Sequence, residues 1–544
     1  MNTRQLQTDK NQKLYHALLG ILLVCALAMM MLLSYWACKY SYYGAVDGRT
    51  RGVLVGDKTW AHIAVFLAAS LCAMGIDKVL MKKDKSQQEK ICLCTLIVTS
   101  VIAFILGVFY VCKNPYYPVG DQINTTAFAA YCRDGNFSML SIGGYVGMYQ
   151  QQKGLAILYE ILFTLFGDFN YRPAKILHVV WWILTILAGY GFLKLNTDRP
   201  VFRMLYCVMM LGCFPLLFYL PYIYGDVLSI SFGIILFYGV AAYEHSGQKR
   251  YIALASFAAG LAVLARKNTW IVLVAVAVYV LLVSLRKKKV RYLMAGTAIL
   301  LTAALSVKAV DVIYEVRSGY PSGVGIPSIL WVAMGLQETE GRAGVYNRYQ
   351  QATFTDYDCQ QELAAQQGKE YIRERLEEFS QDPGMAFNFF KNKVEGQWIE
   401  PMYAALESTE SFEEGAELSP VLESLYYGEL GRTIWKLTNY YQSILYLAGL
   451  MALVMLGILW WKKKEVPISL WLPWIAVFGG FLFSILWEAK SRYVFPYCVF
   501  MILYVPEGLY QTGLLLCKLP KLRKFKKSGH TQDKGEEAPL RETA

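Results

Sequence analysis

Apolar runs about as long as a bilayer is thick recur along most of this 544-residue chain. No other feature restricts its fold so strongly. A hydrocarbon core of roughly 30 Å takes about 20 helical residues to cross. Hydrophobic residues make up 56% of the chain and charged residues only 17%, a balance too apolar for an ordinary soluble domain. The sequence therefore predicts an all-α, polytopic membrane protein. The first run, 14–36, is too long for a signal-peptide core, and no small-residue cleavage site follows it. It is expected to stay as an anchor.

Charge gives the expected orientation. Residues 311–436 hold 21 acidic and 10 basic side chains, a balance of −11 within a total of +12, so the remainder carries +23. The basic residues gather in short segments: Lys82, Lys83, Lys85 and Lys90; Lys194, Arg199 and Arg203; Lys249 and Arg250; 286–291; and 462–464. The positive-inside rule places these segments, and the basic stretch 518–527, in the cytoplasm. Lipid headgroups of a cell membrane, rather than nucleic acid, are the expected partner of that tail. Twelve spans follow, near 14–36, 59–80, 91–112, 173–193, 203–220, 226–244, 251–266, 269–285, 292–310, 441–461, 467–487 and 493–515, with both termini cytoplasmic. The apolar stretch 154–166 is too short for a crossing and is expected to lie along the outer surface, as is 122–132. Two external regions result, 113–172 and the acidic 311–440. In the second, a polar helix over 360–380 precedes a helix opened by Asp382-Pro383. There Phe387, Phe389, Phe390 and Val394 fall near one face, expected to rest on the bilayer, and the helix ends near Trp398-Ile399-Glu400-Pro401.

The twelve cysteines are scattered, most inside apolar runs, where they read as small buried hydrophobes. Cys132 and Cys359 fall in the expected external regions and could pair. Five unclustered histidines argue against a histidine metal site, and His178, beside Trp181 and Trp182, reads as a packing residue.

Candidate chemistry lies at span ends. Asp121 follows the 91–112 span in Asn114-Pro115-Tyr116-Tyr117-Pro118-Val119-Gly120-Asp121-Gln122. It reads equally well as a helix N-cap and as a catalytic carboxylate. Asp226, in Tyr222-Ile223-Tyr224-Gly225-Asp226, carries the same two readings. Together the two carboxylates could divide the work of base and orienting group, or hold a divalent cation. Arg266-Lys267-Asn268 interrupts an apolar run on the side that should be poor in positive charge. Glu488-Ala489-Lys490-Ser491-Arg492-Tyr493 behaves similarly, and Glu488 there could simply pair with Lys490 or Arg492. Two such clusters suit an anionic ligand, phosphate above all. Glu400, in the Trp398-Ile399-Glu400-Pro401 turn, could enter the site but reads first as a surface acid. No nucleotide-binding loop and no Ser-His-Asp signature occurs.

Tyr117-Pro118-Val119-Gly120-Asp121-Gln122 after a span, Tyr224-Gly225-Asp226, Arg266-Lys267-Asn268, the 382–398 helix and Ser491-Arg492-Tyr493 before Pro496 together resemble the GT-C superfamily of integral-membrane glycosyltransferases. The resemblance covers roughly 91–515. It implies a GT-C-like membrane core over 91–310, preceded by a cytosolic tail and two extra spans in 1–90. The acidic region 311–440, closing spans over 441–515 and a cytosolic tail over 516–544 complete the chain. It also implies a polyprenyl-phosphate sugar donor. Asp121 would take the proton of an acceptor hydroxyl, and phosphate would leave with inversion. Lys267, Lys490 and Arg492 would stabilise the leaving phosphate. Asp226 would orient the acceptor or a cation. Arg266, Glu488 and Tyr224 would contact substrate, and the Phe-bearing helix near 385–394 would wall the lipid's groove. The acceptor stays open: a cell-envelope glycan, lipid or protein. A lipid-linked glycan flippase and a polysaccharide polymerase or ligase are the rival readings. The first would place charges near the bilayer midplane and show repeat symmetry. The second would rely on arginines or a histidine in the outer loops, which contain no histidine.

Overall fold

A computed structural model describes residues 3–43, 53–464 and 466–529. Among these, nine helices are long and apolar enough to cross a membrane: Asn11–Lys39, Thr59–Leu80, Lys85–Lys113, Arg172–Asn196, Asp226–Ser246, Lys267–Lys287, Val290–Ser318, Glu429–Trp461 and Ile468–Leu486. Ser491–Met501 and Val505–Lys518, bent by 59°, make a tenth crossing if counted as one. The chain is thus a multi-pass, all-helical membrane protein. Its described strands are only two short antiparallel hairpins, Tyr40–Tyr43 with Val53–Gly56 and Glu338–Thr339 with Arg342–Ala343.

Two of the twelve expected spans fall on shorter helices. The stretch 203–220 is split into Pro200–Leu211 and Phe214–Phe218. Pro215 stands in the first turn of the second piece, where its missing N–H is harmless. The stretch 251–266 is the 17-residue helix Lys249–Ala265. Its buried Ala255, Ala258, Ala259, Gly260 and Ala262 let neighbouring helices approach closely. It packs between Asp226–Ser246 and Val290–Ser318.

Several basic residues of the short segments are ion-paired. Arg203 forks onto Glu89 (2.9 and 2.6 Å), Arg199 meets Asp77 (3.2 Å) and Lys287 meets Glu244 (2.8 Å). Glu89 opens the Lys85–Lys113 helix, and Glu244 closes Asp226–Ser246. Asp226 sits at the other end of the helix that Glu244 closes, and Asp121 follows eight residues after the far end of the helix that Glu89 opens.

The expected extramembrane helices form as Asp121–Arg133, Lys153–Phe166, Gln361–Gln381 and Pro383–Trp398. Asp382 caps the last, accepting from the Met385 N–H at 2.9 Å. Its phenylalanines do not share one outward face. Phe387 is exposed, but Phe389 is buried and packs, with Phe390, on Phe379 of the preceding helix at centroid distances of 5.2 and 5.4 Å. The expected lipid-facing wall is therefore spent on helix–helix packing. Cys132 and Cys359 are both free thiols, so the expected pairing is not made. His178 is buried with Nδ1 2.9 Å from the Leu220 carbonyl, a packing residue as expected.

Trp398 fastens this helix to the spans. It is fully buried, its Nε1 donates to Ser484 Oγ at 3.0 Å, and Tyr446 donates to its carbonyl at 2.6 Å. The hairpin joining the first two helices docks beside it, where the Tyr42 N–H donates to the Ile399 carbonyl at 3.1 Å. Trp398→Ala should cost about 3–5 kcal/mol through the cavity it leaves. Thermal unfolding in detergent should show a clearly lower midpoint, whereas Phe387→Ala should leave it nearly unchanged.

Candidate active site

Seven of the eight residues singled out in the sequence line a single cavity of about 1360 Å³: Asp121, Tyr224, Arg266, Lys267, Glu488, Lys490 and Arg492. The eighth, Asp226, lies behind them, bound to two of the arginines.

Asp121 reaches the cavity through a turn that only its neighbour permits. Gly120 has φ 58°, in the left-handed region, and occupies the N-cap of Asp121–Arg133. No side chain caps this helix, so the capping role open to Asp121 in the sequence is not realised. Its carboxylate is exposed and accepts from the Tyr145 hydroxyl at 2.8 Å. A place in the first turn puts it near the positive end of the helix dipole.

Asp226 follows the same local plan with a different outcome. Gly225 is the N-cap, again without a side-chain cap. A Cβ on Gly225 would lie 2.0 Å from the Ala265 carbonyl oxygen, so only glycine lets the backbone before Arg266 pass this close. Asp226 is buried, with Oδ2 2.6 Å from Arg266 Nη1 and Oδ1 4.0 Å from Arg492 Nε. Both oxygens face guanidinium groups, so a divalent cation shared with Asp121 does not fit. Among the described residues no group of three or more His, Cys, Asp or Glu side chains could hold a metal ion.

The arginines are held by rings as well as by charge. Arg266 lies 5.2 Å and Arg492 5.4 Å from the Tyr224 ring centre, and both lie within 5.4 Å of Tyr493. Gln152 donates to the Tyr224 hydroxyl at 2.5 Å and fixes that ring. Arg266 can turn inward because the helix stops at Ala265 and the chain is extended there, at φ −151°. Lys267 is exposed at the rim and Lys490 half-buried. Neither has a carboxylate within 4.0 Å among the described residues, so both charges face the cavity unpaired.

Three buried carboxyls line the cavity as well, Glu395, Glu400 and Glu488. Glu488 accepts from the Tyr493 hydroxyl at 3.3 Å, and burial pushes its pKa up to about 7 against the pull of Lys490. No ion pair to Lys490 or Arg492 forms. Glu400 is 5% exposed and accepts from the Met402 and Ala404 N–H groups at 2.8 and 2.5 Å, so it is not the surface acid expected. Burial raises it too to about 7, outweighing those hydrogen bonds.

The cavity also contains residues that sequence reasoning missed. Arg342 and Arg348 come from the hairpin region of the acidic segment, and Lys393 from the helix Pro383–Trp398. Lys393 is buried, its Nζ donates to the Gly335 carbonyl, and burial lowers its pKa to about 7. Averaging the charge of 311–436 to −11 hid these cations. The one available signal was a lysine on the apolar side of a helix, beside Phe389 and Val394. Tyr145, the partner of Asp121, carried no signal at all.

Two outcomes follow from this geometry. Asp226→Asn should cost about 3–5 kcal/mol, because it leaves buried guanidinium charge uncompensated, and should appear as a lowered unfolding midpoint in detergent. Folding raises the Glu400 and Glu488 pKa values, so the folded state holds these protons more tightly than the unfolded chain. That stabilisation is full below the ordinary carboxyl range and is lost as pH rises through about 7. The midpoint should therefore fall between roughly pH 4.5 and 7, and Glu400→Gln should flatten the fall. Comparison with protein-family models, with characterised proteins and with solved structures returns no match.

Proposed function

We propose that this protein is an inverting membrane glycosyltransferase that moves a sugar from a polyprenyl-phosphate donor to an acceptor hydroxyl. The observation that carries this reading is the meeting, in one cavity, of an exposed carboxylate with a set of cations placed to receive an anion. Asp121 takes the proton of the acceptor hydroxyl. That oxygen attacks the anomeric carbon, the bond from this carbon to the phosphate oxygen breaks, and phosphate leaves with the electron pair. A phosphate leaving group needs fixed positive charge rather than an acid, and Arg266, Lys267, Lys490 and Arg492 supply it. Asp226 acts as a positioning residue, holding Arg266 and Arg492 in place before substrate arrives. Such preorganisation is worth most where water is scarce.

In this reading the chain crosses the membrane twelve times, both termini are cytoplasmic, and the cavity opens on the extracytoplasmic side, where the donor's lipid holds it at the headgroup layer. Placement of the charges at helix ends rather than at mid-span favours a transferase over a flippase. The GT-C resemblance noted in the sequence points the same way.

Incubation of the purified protein with labelled polyprenyl-phosphate sugars should yield a labelled product. Asp121→Asn keeps the local geometry but removes the base, and should slow transfer by about 100-fold or more. Transfer at the wild-type rate would show that Asp121 is not the base. Label that crosses the bilayer of a proteoliposome without transfer would assign the protein to the flippases.

A further inference from the structure

The cavity holds more than the phosphate chemistry uses. Four half-buried aromatic rings on its wall form one strip. Tyr145, whose hydroxyl donates to Asp121, lies 5.1 Å from Tyr149 between ring centres. Tyr149 meets the edge of Trp331 at 6.2 Å, and Trp331 stacks on Trp487 at 6.0 Å with ring planes only 2° apart. Trp487 immediately precedes Glu488. The strip is assembled from three separate parts of the chain: the short helix Tyr145–Met148 and the residue after it, the helix Ile329–Gly335, and the end of Leu472–Leu486. It runs from the proposed base to the edge of the cationic cluster. The half-buried amides of Gln151 and Gln351 line the same cavity.

We propose that the acceptor is a saccharide, seated on the strip formed by Tyr145, Tyr149, Trp331 and Trp487 so that one of its hydroxyls reaches Asp121. This rests on the transferase reading above and adds the acceptor's chemical class to it. A sugar ring has a face of C–H groups and an edge of hydroxyls. The electron-rich face of an aromatic ring takes the first. Planar amides, which both donate and accept, take the second. A peptide would need backbone partners or pockets for side chains, and a prenyl chain would need an apolar track. This wall instead alternates rings with hydroxyls and amides. Its volume, about 1360 Å³, exceeds the roughly 300–1,000 Å³ of an ordinary small-ligand site. There is room for an acceptor of more than one sugar ring beside the donor's head.

The test is direct binding in the absence of donor. Wild-type protein in detergent is titrated with fluorophore-labelled cello-, chito-, malto- and mannotetraose, and in parallel with labelled farnesyl phosphate and a labelled pentapeptide. At least one tetraose should bind. Trp331→Ala should weaken that binding about tenfold or more, the loss expected for one stacking platform. Trp331→Phe should keep most of the affinity, and Tyr149→Leu, which leaves the Trp331–Trp487 stack in place, should lose it. The proposal falls if no tetraose binds, if the pentapeptide binds in their place, or if neither Trp331→Ala nor Tyr149→Leu weakens tetraose binding. It falls equally if the loss appears on the farnesyl phosphate arm alone, which would make the strip a lipid track. Tetraose binding that depends on Trp331, in a protein that transfers sugar from no polyprenyl-phosphate donor, would keep the saccharide site and end the transferase reading. A labelled transfer product that contains no glycan acceptor would end the saccharide proposal alone.

Discussion

Asp226 between Arg266 and Arg492 is the contact on which the rest of the site depends. Removing guanidinium groups from water is costly, and the cost is offset only when an anion meets them at short range and the remaining faces are covered. Here the 2.6 Å contact to Arg266 supplies the first condition, and the rings of Tyr224 and Tyr493 supply the second. The carboxylate ties together three separate breaks in helical structure: the start of Asp226–Ser246, the gap after Lys249–Ala265, and the start of Ser491–Met501. A helix end leaves backbone groups without intrahelical partners, and it is tolerated where it lines a polar cavity. The same breaks that make the cavity polar are therefore the ones that the ion cluster holds together.

Much of the fold was legible because the dominant signal is simple. Apolar length and lysine-rich turns marked the nine long apolar helices among the described residues, and the turn chemistry of Asp382-Pro383 marked the start of the helix Pro383–Trp398. Where that signal is weak, the reading lost detail. The stretch 203–220 reads as one span, but the helix ends at Leu211 and a new one starts at Phe214-Pro215. The Phe387, Phe389 and Phe390 group was read as one face, but Phe379 on the preceding helix draws two of them inward. Nothing in the local pattern announces that partner.

The site was legible as a set of residue types at span ends, and its internal division of labour was not. Asp121 and Asp226 share a local plan, each an aspartate after a glycine at the start of a helix. One is exposed and meets a tyrosine hydroxyl, the other is buried and meets arginines. What separates them is the arrival of Arg266 from 40 residues away, a long-range contact. The outer segment was harder still. Its net negative charge conceals Arg342, Arg348 and Lys393, which face the cavity while the carboxylates of its long helix face outward.

The hairpin that joins the first two helices gives those helices a purpose that a membrane anchor alone would not. Tyr42 and Leu54 line the cavity, as do residues up to Tyr493. Its wall thus draws on both extremes of the described chain. A chain without its last helices therefore leaves the chamber open on the Arg492 side. Such a chain keeps the Asp226–Arg266 pair but lacks the second arginine that Asp226 meets.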